Sequence, residues 1–172
     1  IATMLYAPFY TDQLYLIRQI AHSLPLHYKL YVKEHPSMVE FRSNDFYREL
    51  RKIPNVKLIH PKVSSYEILP KAKLILTITG TVGWESIFLG KPVITFGEVF
   101  YNRLSFVKKC CDINELPHLI NEQLNAHNYN EPELFNYIGC ILEESVKADI
   151  TNIWSQGVDI KHDKDKVKTI AE

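Results

Sequence analysis

The apolar run Leu74-Ile75-Leu76-Thr77-Ile78 leads directly into Thr79-Gly80-Thr81-Val82-Gly83, and a second apolar run follows from Pro92 to Phe96, just past Gly90. Strand-length runs separated by one helix length leave few folding options. A strand that is apolar without alternation is buried on both faces, as in parallel sheets covered by their crossover helices. The same rhythm fills the rest of the chain. Met4 to Ala7 reads as a strand ended by Pro8, and Thr11 as the N-cap of a helix to about Leu24, with Leu14, Ile17, Ile20, Ala21 and Leu24 on one face. Tyr28 to Lys33 and Val56 to Ile59 read as strands, and Ser43 opens a helix through Phe46, Tyr47 and Leu50 that closes at Pro54-Asn55. Ser64-Ser65-Tyr66-Glu67 is a capping box. A helix spans Val82 to Leu89, stopped by Gly90. Beyond Phe96 the signal weakens. Asp112 with Glu115 opens a helix to about Ala126, and Glu131 to Trp154 reads as a long helix with Leu134, Ile138, Ile141, Leu142 and Val146 on one face. The pattern predicts an α/β layer fold with a parallel sheet and right-handed crossovers. One domain is expected over 1–155, with a polar tail over 156–172.

Composition removes several classes of function. Lys+Arg and Asp+Glu are both 20, so the formal charge is zero and the pI is about 7.2. That balance excludes the broad basic footprint of a nucleic-acid binder. With 23% charged and 46% hydrophobic residues, the chain is not wholly disordered. Three cysteines, two of them adjacent at Cys110 and Cys111, make no disulfide framework and fit a reducing compartment. No apolar run approaches the roughly 20 residues of a membrane span. The chain begins at Ile1 without a basic leader, so the first residues are read as a strand under way rather than a signal peptide. A fragment of a longer protein is expected, with half of an active site elsewhere.

In open parallel sheets, ligands bind beyond the carboxyl ends of the strands. Three loops in those positions carry unusual residues. Lys33-Glu34-His35-Pro36 can present an imidazole and an ammonium to a phosphate, or it can be a solvated strand end. Thr79-Gly80-Thr81-Val82-Gly83-Trp84-Glu85-Ser86 combines glycines, two hydroxyls and a carboxylate one turn after Thr81. Glu85 can accept ribose hydroxyls or a base amino group. The alternative is a tight strand-to-helix turn capped by Thr81. Gly97-Glu98-Val99-Phe100-Tyr101 allows a close approach at Gly97 and places Tyr101 either along a pocket or over the sheet edge. The cysteines lack zinc spacing, and Asp163-Lys164-Asp165 sits in a charged tail, so no metal site is expected.

Taken in order, Asp12-Gln13-Leu14, Leu24-Pro25, Tyr31 to Pro36, Pro54-Asn55-Val56, Thr79 to Glu85, Gly90-Lys91-Pro92-Val93-Ile94, Phe96-Gly97 and Phe100-Tyr101 resemble the bacterial capsular polysaccharide biosynthesis family. That family includes retaining Kdo transferases of the GT-B type. The resemblance spans about residues 1 to 105. It implies a Rossmann-like domain, the C-terminal half of a GT-B fold, that binds the donor of a glycosyltransferase. The expected donor is a nucleotide sugar, CMP-linked like CMP-Kdo, and the acceptor a glycan or glycolipid. The donor-binding residues it implies are Lys33, His35, Pro36, Thr79, Gly80, Thr81, Glu85, Ser86, Gly97 and Tyr101. His35, Pro36 and the Thr79-Gly80-Thr81 turn would meet phosphate, and Glu85 the nucleoside. No cofactor or metal is implied. The general base would come from a missing N-terminal domain. A cytoplasmic protein is expected, with the full-length form associating peripherally with the inner face of the membrane. Two rival readings share the fold: a UDP-sugar 2-epimerase-like domain and a non-catalytic nucleotide-sugar-binding module.

Overall fold

The computed structural model describes residues 2–35, 38 and 41–145. The chain divides into two compact units between Asn130 and Glu131. All five described strands lie in the first. There, β1 (Leu30–Lys33) pairs in parallel with β2 (Val56–Ile59), with Leu30 opposite Val56 and Lys33 opposite Ile59. A second parallel ladder runs β3 (Ile75–Thr77), β4 (Val93–Thr95), β5 (Val107–Lys109), in that order. The α/β class with helix-flanked parallel strands is therefore as the sequence implies. The strands form two ladders rather than one sheet.

Local chemistry sets most of the boundaries. Helix α2 (Gln13–Ser23) is capped by Asp12, whose carboxylate accepts from the Tyr15 N–H at 2.9 Å. Thr11 was the expected cap, but aspartate is the stronger capping residue and sits one position nearer the helix. Helix α3 (Asn44–Arg51) starts at Ser43 as expected, with the Ser43 hydroxyl accepting from Phe46 N–H at 3.3 Å. Ser64 caps α4 (Ser65–Ile68) by accepting from Tyr66 N–H at 3.3 Å. Helix α5 (Val82–Ile87) stops through a Schellman motif: Gly90 N–H bonds to Ile87 O at 2.9 Å and Lys91 N–H to Ser86 O at 3.1 Å. Gly90 sits at φ +62°, a left-handed position that a side chain would strain.

The expected strand at Met4 to Ala7 is a correction. Ala2–Tyr6 is a short helix, α1. A four-residue apolar run does not discriminate strand from helix, and Ala, Met and Leu are good helix formers. Pro8 also removes an N–H that a ladder would have used. The Tyr6 carbonyl instead accepts from Glu98 N–H at 2.8 Å. Next to it, Tyr10 is buried, its ring meeting Phe96 edge-on at 5.2 Å and its hydroxyl donating to Cys110 O at 3.1 Å. The N-terminal segment is thereby docked beyond β4 and β5.

The core gathers Leu16 and Ile20 of α2, Ile94 of β4, Cys110 after β5, and Leu116 and Ile120 of α6 (Leu116–Asn125). Strand β5 was not expected, because Val107-Lys108-Lys109 is short and charged. It pairs in parallel with β4, and just past its end the Cys110 N–H bonds to Thr95 O at 2.8 Å, so β4 supplies the order that the sequence pattern lacks. In the second unit, α7 (Glu131–Glu144) begins with Glu131 and Glu133, favourable charges for a helix N-terminus, and Pro132, suited to the first turn. The expected continuation of this helix to Trp154, the domain end at 155 and the tail over 156–172 lie outside the described residues. No helix among the described residues is long and apolar enough to cross a membrane.

Candidate functional site

The three loops singled out by the sequence do follow the carboxyl ends of β1, β3 and β4. The structure brings two of them together. The loop after β3 turns on Gly80, whose N–H donates to the Thr77 hydroxyl at 3.1 Å. The Gly80 carbonyl accepts from the Tyr101 hydroxyl at 2.6 Å, across 21 residues of chain. Tyr101 is 1% exposed, and burial pushes its phenol up to about 12. It therefore stitches the loop after β4 to the loop after β3 instead of opening onto solvent.

Two glycines make that stitching possible. A Cβ on Gly83 would lie 2.8 Å from the Tyr101 ring carbon that bears the hydroxyl. A Cβ on Gly97 would lie 2.6 Å from the Thr79 methyl and 2.8 Å from Tyr6 O. Gly97 is thus buried where three segments meet. Thr95 and Asn102 fix the same turn from behind. The Thr95 hydroxyl donates to Asn102 Oδ1 at 2.7 Å, and Asn102 Nδ2 donates to Gly97 O at 2.9 Å. Ser86 is buried and donates to Val82 O at 2.5 Å, so its hydroxyl is used inside α5.

The polar groups left over are informative. Thr81 stands at the α5 N-cap, exposed, and its side chain makes no capping bond. Glu85 is half-buried in the first turn of α5, and no hydrogen bond or ion pair engages its carboxylate among the described residues. Lys33, half-buried at the end of β1, is likewise without an ion-pair partner there. Thr79 is half-buried with its methyl against Gly97. His35 is exposed, two residues past Lys33. Pro36 lies outside the described residues. Lys33 and His35 belong to the β1–β2 ladder, while Thr79, Gly80, Gly97 and Tyr101 belong to the other.

Several features were not anticipated. Trp84 on α5 heads an aromatic cluster, 4.9 Å from Phe88, 5.0 Å from Phe100 and 6.2 Å from Tyr101 between ring centroids. The helical spacing of Trp84 and Phe88 was the available signal. A shallow cavity of about 570 Å³ opens beyond β4 and β5, lined by Tyr6, Phe100, Arg103 and the Glu98–Lys109 ion pair among others. Among the described residues no group of three or more His, Cys, Asp or Glu could hold a metal ion. Cys110 is buried, Cys111 and Cys140 are exposed, and all three are free thiols.

Comparison with known proteins adds a family. The model of the capsule polysaccharide biosynthesis proteins matches residues 9–106, more than half of the chain and all three loops. Protein FixF of Sinorhizobium fredii is 38% identical over 63 residues, which is 37% of this chain. The match spans only 15% of the length of that relative. No solved structure matches.

Proposed function

The chain belongs to the capsule polysaccharide biosynthesis protein family, and from that premise we propose that it is the donor-binding part of a glycosyltransferase that builds a surface polysaccharide. One observation carries the reading. Lys33, Thr81 and Glu85 stand at the carboxyl ends of parallel strands, and no described side chain satisfies them. A half-buried carboxylate and ammonium without partners keep their hydrogen-bonding capacity for a ligand.

The donor is a nucleotide sugar, with CMP as the leaving nucleotide. Glu85 accepts the ribose hydroxyls or the base amino group. His35 and the Thr79–Thr81 turn meet the phosphate, with Lys33 supplying positive charge. In the transfer step the bond between the anomeric carbon and the phosphate oxygen breaks. An acceptor hydroxyl forms the new bond to that carbon, and its proton leaves to a base outside the residues named here. Charge builds on the departing phosphate as the bond breaks, so a fixed cation beside it stabilises the transition state more than the ground state.

A thermal-shift panel of CMP, UDP and GDP tests the reading. CMP at 100 times its dissociation constant should stabilise the fold by about 2.7 kcal/mol. A clear preference for UDP points instead to an epimerase-like domain, and no stabilisation by any nucleotide removes the donor site.

A further inference from the structure

Glu34, the neighbour of His35 in the chain, is held by a charged network. Glu34 and Arg42 stand eight positions apart in the chain and form an ion pair. Arg42 Nε donates to Glu34 Oε1 at 2.5 Å, and the two side chains are 19% and 13% exposed. The Tyr47 hydroxyl of α3 donates to the other Glu34 oxygen. Arg42 Nη2 donates to the side-chain oxygen of Gln13, the first residue of α2. The guanidinium also lies 4.2 Å from the centre of the Phe46 ring. Met38 N–H bonds to His35 O at 2.9 Å and Phe41 N–H to Met38 O at 3.1 Å.

We propose that Glu34, Arg42 and Tyr47 act as a positioning clamp that sets where His35 stands and turns the Glu34 charge away from a bound phosphate. The clamp rests on the reading of His35 as a phosphate contact. Two considerations favour this role over simple stabilisation. Desolvating an ion pair to this depth is costly, and an apolar pair of similar size is often at least as stable. The position also matters: Glu34 lies between Lys33 and His35, where a free carboxylate would repel the anion that those two attract. With both Glu34 oxygens engaged, by Arg42 and by Tyr47, the negative charge is directed onto the clamp. The Tyr47 phenol is pushed up by its hydrogen bond to Glu34, so it stays a donor.

A double-mutant cycle read with two ligands tests the clamp. CMP and cytidine affinities are measured by calorimetry on the full chain for wild type, His35→Ala, Arg42→Ala, and both substitutions together. Arg42→Ala should weaken CMP about tenfold and leave cytidine within about twofold. In the His35→Ala background, Arg42→Ala should change CMP affinity by less than about twofold, because the group it positions is gone. Tyr47→Phe removes one hydroxyl and keeps the ring; it should show the same CMP-selective loss at a smaller size, which covers the case where Arg42→Ala does not fold. If His35→Ala weakens CMP but the clamp variants weaken both ligands equally, or add fully to His35→Ala, the clamp is overturned and the phosphate contact stands. If His35→Ala leaves CMP affinity unchanged, the phosphate contact fails and the clamp with it.

Discussion

The loop after β1 and the paired loops after β3 and β4 occupy equivalent places in the fold and are held in opposite ways. The first is tied by long charged side chains, Glu34 to Arg42 and both outward to Tyr47 and Gln13. The second pair is tied by neutral groups at close quarters: the Tyr101 hydroxyl on Gly80 O, Thr95 on Asn102, and Asn102 on Gly97 O. Glycine makes the second arrangement possible and charge makes the first. Buried neutral bonds and glycine contacts tolerate little change in volume, so damage there should appear as lost stability. Lys33, half-buried at the end of β1 and without an ion-pair partner among the described residues, can change with little effect on the fold, so damage there should appear as lost affinity.

The largest test of that contrast is Tyr101→Ala. It empties a site that is 1% exposed and should lower the unfolding free energy by about 3–5 kcal/mol, read from urea midpoints. A loss under about 1 kcal/mol would put Tyr101 on the same footing as a surface residue. Next comes Gly97→Ala. Its new methyl would meet Thr79 and the Tyr6 carbonyl at under 3 Å, and the expected cost is about 1–3 kcal/mol. On the other side, Lys33→Ala should leave stability within about 0.5 kcal/mol while weakening CMP about tenfold. Equal damage to stability and affinity in that variant would erase the distinction between the two loops.

The smallest effect concerns pH. Burial raises the Tyr101 phenol from 10.0 to about 12 in the folded chain. The unfolded chain therefore releases that proton first as pH rises. The contribution of Tyr101 is whole below pH 10 and is lost as pH climbs from there through about 12. Tyr101→Phe, which should cost about 0.5–1.5 kcal/mol at neutral pH, removes this dependence. Its stability should therefore fall less steeply than that of the wild type above pH 10. Parallel curves for the two proteins would place the phenol in contact with water.

The contrast also explains what could be read from the sequence. Elements fixed by local chemistry were legible. Val56–Ile59 is the expected strand to the residue, Ser43 is the cap, and Gly90 ends α5. Elements fixed by distant partners were not. Strand β5 is ordered by β4, and nothing in its own three residues declares it. The apolar stretch at Met4 fits either helix or strand, and the docking of Tyr6 and Tyr10 beyond β4 and β5 settles its course. At the site, the glycines and hydroxyls of the Thr79 loop were visible as a motif. The bond from the Tyr101 hydroxyl to the Gly80 carbonyl and the reach of Arg42 to Glu34 were not, because a side-chain bond to a group 21 or 8 positions away leaves no periodic trace. Gly83 reads in the sequence as part of a loop, whereas in the fold a Cβ there would collide with the Tyr101 ring.

The most direct test of the central claim is amide chemical-shift mapping of the chain during a CMP titration. A donor held between the charged loop and the neutral loops should move the amides of Lys33, His35, Thr79, Gly80 and Thr81 together, along one saturation curve. Shifts confined to residues outside these loops, or none at these five at saturating CMP, would contradict the account.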